Sequence, residues 1–448
     1  MFDHELRSTP TTGGLNDVSP DGDQMSGLRE FSLPPVGKGK DTWLCLAGGF
    51  VLEMMVWGFP FSFGVFQEYY STTEPFAHNK SSVSIIGSCS MGILYLASPI
   101  SLFILHRWPK VSRTGSLVGL AIAIIGIVSS GFANKLWQLI ITQGVLYPVG
   151  AGMLYYPVLI FLDEWFVARK GLAYGLCWAG SGVGGIAFPF LLRFGLSRYS
   201  LKATMCAVAV AMVLIVSPFL PFVKPRIRVS GAQAARPQKI SLRFLRCRTF
   251  LIFQLGSLLQ NLGYFAPSLY LPTYSRDVLG ESDFGTTIPL TLMNAGIVFG
   301  SVLIGHLIDR WHVADVIFSS TVSTIIGVFV VWGLSASLSP LCVFAIIYGI
   351  FAGSAASTWP GIVKAVKRAD QKAPAGLMLG LLTASRGVGS IVCGPISEAV
   401  INADWPWTGK SSSLGFGTRF GGLIVFTGVT ASFGALGFGA RRLGVLGA

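Results

Sequence analysis

Along most of this chain the apolar residues do not alternate with polar ones; they run on for about twenty positions at a time, the length of an α-helix that crosses a bilayer. Short clusters of Gly, Pro, Lys and Arg separate the runs. A barrel strand would be about half as long and would alternate, so helices are the reading. The runs lie near 43–66, 84–105, 114–132, 136–162, 171–192 and 203–223, and then near 249–274, 287–308, 314–336, 341–363, 375–400 and 419–439. They predict an all-α polytopic membrane protein with twelve transmembrane helices in two six-helix bundles. Residues 1–41 carry Ser, Thr, Pro, Gly and acids without an apolar core, so a disordered cytoplasmic tail is expected there. The N-terminal bundle then covers 42–223, a basic cytoplasmic linker 224–248 and the C-terminal bundle 249–448.

Composition agrees: 52% of residues are hydrophobic and only 12% charged, which asks for lipid as the solvent. The net charge of +13 is spread over short loops, without an aromatic-rich basic module, so it speaks for membrane topology and against nucleic acid as a partner. With the N-terminus inside, the inner segments hold a roughly threefold excess of Lys and Arg over the outer ones. Both termini are therefore expected on the cytoplasmic side, in the plasma membrane. The seven cysteines show neither a disulfide framework nor a zinc spacing. No phosphate-cradling loop, no nucleophile with its base and no metal-ligand cluster is visible, which argues against an enzyme and against a cofactor.

Ionisable side chains inside a bilayer are costly, so the two that sit deep stand out. Glu53 lies ten residues after Trp43 and Arg386 eleven after Ala375, which puts each about 15–17 Å into the hydrocarbon. Equal depth allows a pair, and either a static ion pair or a substrate and proton site is compatible with it. Gly pairs four residues apart recur at Gly171 and Gly175, Gly180 and Gly184, Gly296 and Gly300, Gly349 and Gly353, and Gly376 and Gly380, where helix backbones can approach closely. Span seven carries Pro267 and Pro272, so a kink is expected in its outer half. Asn79-Lys80-Ser81 is a glycosylation sequon in the first external loop, making the protein a candidate glycoprotein at Asn79.

Several stretches are similar to the monocarboxylate-porter family of the major facilitator superfamily, and to its fungal branch above all. They are Ser62 to Tyr70 with Ile86-Gly87-Ser88; the signature running from Gln143-Gly144 through Tyr156-Pro157, Trp165-Phe166, Arg169 to Gly175 and Ala179 to Gly185 up to Pro189; Gly263 to Pro267 with Tyr270-Leu271-Pro272; and Gly305 to Arg310. Arg169, Gly171, Gly175, Gly180 and Gly184 match the signature itself. The family's motif ahead of span one is reduced to Asp41-Thr42-Trp43, and its Asp-Arg pair in span eight is replaced by Ile297 and Ser301.

The resemblance implies secondary active transport by alternating access. Spans two, five, eight and eleven would meet across the halves, and Arg107, Asp309 and Arg310 would hold a cytoplasmic gate. Spans one, four, seven and ten would line a cavity, with Trp57, Tyr155, Tyr156, Asn261, Tyr264, Thr358 and Trp359 as candidates. The expected partners are the lipid bilayer, a small organic acid or secondary metabolite, and a co-transported proton, for which a monomer is sufficient. Export is favoured by the missing Asp-Arg pair. A proton-coupled monocarboxylate or vitamin uptake permease is the alternative, and a non-transporting nutrient sensor is a third reading of another class.

Overall fold

The computed structural model describes residues 37, 39–76, 80–226, 240–403, 405–406 and 414–445. Asn79, nearly all of the expected tail and the middle of the expected linker lie outside that set. Among the described residues the structure is helical throughout, and ten helices are long and apolar enough to cross a membrane. They are α1 (Lys40–Thr72), α2 (Val83–Arg107), α3 (Val111–Ser130), α4 (Leu136–Trp165), α5 (Lys170–Arg198), then α8 (Gly285–Arg310), α9 (Val313–Trp332), α10 (Leu338–Ala369), α11 (Ala375–Ile401) and α12 (Gly421–Arg442). Between the two groups stand α6 (Leu201–Val216), which is apolar but shorter, and α7, made of Arg248–Tyr264 and Ala266–Asp277. Together they make the twelve crossings expected. Helix α7 falls short of the others because it is broken and carries Gln254, Ser257, Gln260 and Asn261 on one stretch.

The breaks have local causes. In α7 the chain turns at Phe265 because Pro267 has no N–H to give the Gly263 carbonyl, and the Phe265 N–H bonds that carbonyl instead. In α1 the break is at Ser62, two residues after Pro60, where the Ser62 hydroxyl donates to the Gly58 carbonyl at 2.7 Å. Helix α10 is the most irregular: a π segment at Gly349–Gly353 passes through Ser354 into a 3-10 turn at Ala355–Thr358 before Trp359 and Pro360 resume the α-helix. Irregular backbone at this depth is tolerated where protein or a cavity surrounds it.

The halves meet along two seams, α5 against α8 and α2 against α11. At the first seam a Cβ on Gly175 would lie 2.2 Å from the Ser301 carbonyl oxygen and one on Gly305 would lie 2.3 Å from that of Gly171. No other residue allows that approach. The opposite face of α5 packs on α1 through Gly180 and Gly184. At the second seam the Ser98 hydroxyl donates to the Gly380 carbonyl at 2.8 Å, joining the halves directly.

The two ends of the bundle differ. At the end that carries Arg107, Arg310 and the described start and finish of the chain, hereafter the basic end, the halves are bridged. Asp309 accepts from the backbone N–H groups of Gly171 at 2.8 Å and Leu172 at 2.9 Å, and Lys367 pairs with Asp163 at 3.7 Å. At the far end the ion pairs Arg193 with Glu68 and Arg419 with Asp277 each stay within one half. There neither Phe63–Thr72 nor Ala266–Asp277 packs extensively against the opposite half. The halves are thus closed at the basic end.

Candidate functional site at the centre of the bundle

Helix α1 is apolar enough that Glu53 is its one acid between Asp41 and Glu68, and packing on α4 and α5 turns it inward, where it is 4% exposed. One turn on, Trp57 stands beside it, its ring centroid 4.4 Å from Tyr95 of α2 and 6.2 Å from Tyr155 of α4. The Trp178 indole N–H donates to the Tyr155 hydroxyl at 3.0 Å, which leaves the Tyr155 O–H free to donate to the Glu53 carboxylate within its reach. Glu53 Oε2 and Trp57 Nε1 are both buried without a hydrogen-bond partner.

Arg386 of α11 faces the same space from the other half and is 8% exposed. Its guanidinium lies 4.3 Å from the centroid of the Tyr264 ring and 5.6 Å from that of Trp359, and Tyr95 is within its polar reach. Aromatic faces stabilise the cation without neutralising it. Its Nε is buried and unpartnered. The Arg386 charge acts on Glu53 across the cavity, but the two side chains make no salt bridge.

Glu53, Trp57, Tyr95, Tyr155, Trp178, Trp359 and Arg386 line one chamber whose cavity volume is about 40 Å³. That space admits a few waters, so the conformation is one in which the site is contracted. Ile297 and Ser301 line it too. Both are uncharged, and the ionisable groups of the chamber come from α1 and α11 instead. Among the described residues no group of three or more His, Cys, Asp or Glu gathers that could hold a metal.

The structure distributes the remaining sequence candidates. Trp57, Tyr155 and Trp359 line the central chamber, while Asn261 and Thr358 line a neighbouring one inside the C-terminal half, which Trp359 and Arg386 also border. Tyr264 lines neither; it lies under Arg386, its hydroxyl donating to the Gly353 carbonyl at 3.4 Å. Tyr156 is a correction: its hydroxyl donates to the Leu94 carbonyl and it is fully buried between α4 and α2, away from both chambers. At the basic end Asp309 bonds backbone N–H groups of α5, not a basic side chain, while Arg310 and Arg169 are exposed and Arg107 half-buried. Tyr95, Trp178 and Thr383 were missed, because aromatic and hydroxyl residues in spans assigned to inter-half packing carry no signal of their own.

Two helical halves that meet around a buried, charged and aromatic-walled chamber in the middle of the membrane define a transport protein. The model of the Major Facilitator Superfamily matches residues 45–392, and the chain belongs to that superfamily. It is similar to the MFS-type transporter pynF of Aspergillus niger, 27% identical over 374 residues that cover 83% of this chain and 84% of the relative. It is also similar to the MFS-type transporter hasB of Aspergillus fumigatus, 25% identical over 448 residues and 95% of each chain, and to the MFS transporter asaE of Aspergillus flavus, 23% identical over 408 residues and 89% of each. The chain is accordingly a multi-pass membrane transporter of a small molecule and not an enzyme. The finer likeness to monocarboxylate porters rests on the motifs quoted above.

Proposed function

We propose that the protein exports a small organic acid or secondary metabolite by alternating access, with Arg386 receiving the anionic group of the substrate and Glu53 carrying a proton. One observation carries the reading: Glu53 and Arg386 line one chamber between the halves, each nearly buried, each with an orphaned polar atom, and not in contact with each other. A static ion pair would have closed that gap, because an uncompensated buried charge costs several kcal/mol, on the order of 3–5. A ligand carboxylate entering between them would supply the missing partner of Arg386. Export is supported by Ile297 and Ser301 at the cavity wall, where the resembling uptake porters carry charges.

On this reading Asp309 and Lys367 hold the basic end closed and release it as the halves rock, and that end, with both termini and the linker 224–248, faces the cytoplasm of a cell bounded by the plasma membrane. The reading extends to the boundaries 42–223 and 249–448 for the two bundles. Untargeted metabolite profiling of cells with and without the protein identifies the substrate, whose transport is then followed in proteoliposomes under an imposed pH gradient. Arg386→Gln should lower transport about 10- to 100-fold, the worth of a buried hydrogen bond to a charge. Glu53→Gln should abolish the response to the pH gradient while substrate exchange persists. Unchanged transport in both variants, reconstituted at wild-type levels, refutes the assignment.

A further inference from the structure

The second chamber lies wholly within the C-terminal half, among α7, α9, α10, α11 and α12, with a cavity volume of about 30 Å³. Along α7 it extends from Asn261 back to Ile252, which is about 14 Å toward the basic end. Its wall is unusually polar for the inside of a membrane bundle: Ser257, Gln260, Asn261, Ser320, Thr321 and Thr358 face it. Hydroxyls on membrane helices ordinarily bond the carbonyl one turn back, as Thr324 does with Ser320 at 2.8 Å. The Ser320 hydroxyl itself does not: it is 7% exposed, faces the chamber and has no partner. Arg386 Nε, on another residue that lines the same chamber, is the second orphan. A buried polar atom without a partner costs about 1–3 kcal/mol, and two on residues that line one cavity point to an occupant that bonds both.

Trp359 borders both chambers, together with Arg386. It sits directly after the π and 3-10 segments of α10, the part of that helix with the fewest regular backbone bonds to hold it. We propose that the C-terminal chamber is a second substrate subsite, joined to the central one by displacement of Trp359, and that the substrate is an elongated organic acid: its carboxylate rests at Arg386 and a hydroxyl- or carbonyl-bearing arm reaches along α7 to Ser320, Thr321 and Gln260. This rests on the assignment of Arg386 as the anion-receiving group. It adds what that assignment lacks, the shape of the substrate and the place of its second polar group.

Three probes test it on the purified full-length protein in nanodiscs, by quenching of tryptophan fluorescence: benzoate, 4-butoxybenzoate and 4-(3-hydroxypropoxy)benzoate. The wild type should bind the hydroxyl-tailed probe tighter than the butoxy one. In Ser320→Ala and Thr321→Val that preference should fall about tenfold, as the loss of one hydrogen bond requires. Gly434→Ala puts a methyl at the chamber wall 2.7 Å from Thr321 Oγ1 and 3.0 Å from Gln260 Oε1, and should weaken both tailed probes relative to benzoate. Arg386→Gln should weaken all three and leave the preference between tails in place. A tail preference identical in the wild type and both hydroxyl variants overturns the subsite. Binding of none of the probes by the wild type overturns the ligand class. An Arg386→Gln protein that binds all three normally, with the tail preference still lost in Ser320→Ala, overturns the anion assignment and leaves the chamber standing.

Discussion

At the scale of single residues the site depends on which way each side chain is held. Trp178 donates to the Tyr155 hydroxyl, which leaves the Tyr155 O–H to point toward the Glu53 carboxylate beside it, so Trp178 acts on the carboxylate through Tyr155. Trp178→Phe keeps an aromatic ring and removes the donor; transport should fall about three- to tenfold, the worth of one net hydrogen bond, while the amount of folded protein is unchanged. Measuring initial transport rates at matched reconstitution checks this, and an unaltered rate would detach Trp178 from the site. Glu53 and Arg386 were legible in the sequence because a charge in an apolar run is conspicuous and helical rise converts its position to depth. Tyr156 shows the limit of that reasoning. Adjacent helical residues point about 100° apart; here Tyr155 lines the chamber while the Tyr156 hydroxyl is taken up by the Leu94 carbonyl, and the sequence held no mark of which one would face the cavity.

At the scale of helices, the seam between α5 and α8 is made by glycines whose backbones touch, and it is capped at the basic end by Asp309. Gly175→Val should force α5 and α8 apart and destabilise the protein by about 1–3 kcal/mol, as overpacking does, read as a lowered Tm in detergent. A Tm equal to that of the wild type would mean that the seam is looser than described. Asp309→Ala removes two charge-assisted hydrogen bonds from the first turn of α5. It should lengthen the distance between spin labels placed at Trp108 and Trp311, two exposed positions at the basic end, one in each half. The crossings themselves could be read from apolar run length, and the Pro267 kink from missing N–H groups. The breaks at Ser62 and in α10 could not, since Pro60 and Pro360 lie just off the breaks and the π segment of α10 depends on its close packing against α8.

At the scale of the whole molecule, the described conformation is closed at the basic end, with a contracted chamber at mid-depth, and transport requires that the closure pass to the other end. The number of crossings could be read from the length of the apolar runs, and the helices that meet between the halves were what the family resemblance implied. The sequence could not reach the state of the gates, which depends on side-chain contacts between residues more than a hundred positions apart, such as Lys367 with Asp163 and Asp309 with Gly171. The most direct test of the account measures spin-label distances at both ends of the reconstituted protein. One pair sits at Trp108 and Trp311 and the other at the exposed Lys135 and Ser337 of the far end. On addition of transported substrate the account predicts that the basic-end distance lengthens while the far-end distance shortens. Two distances that stay fixed, or that lengthen together, would contradict it.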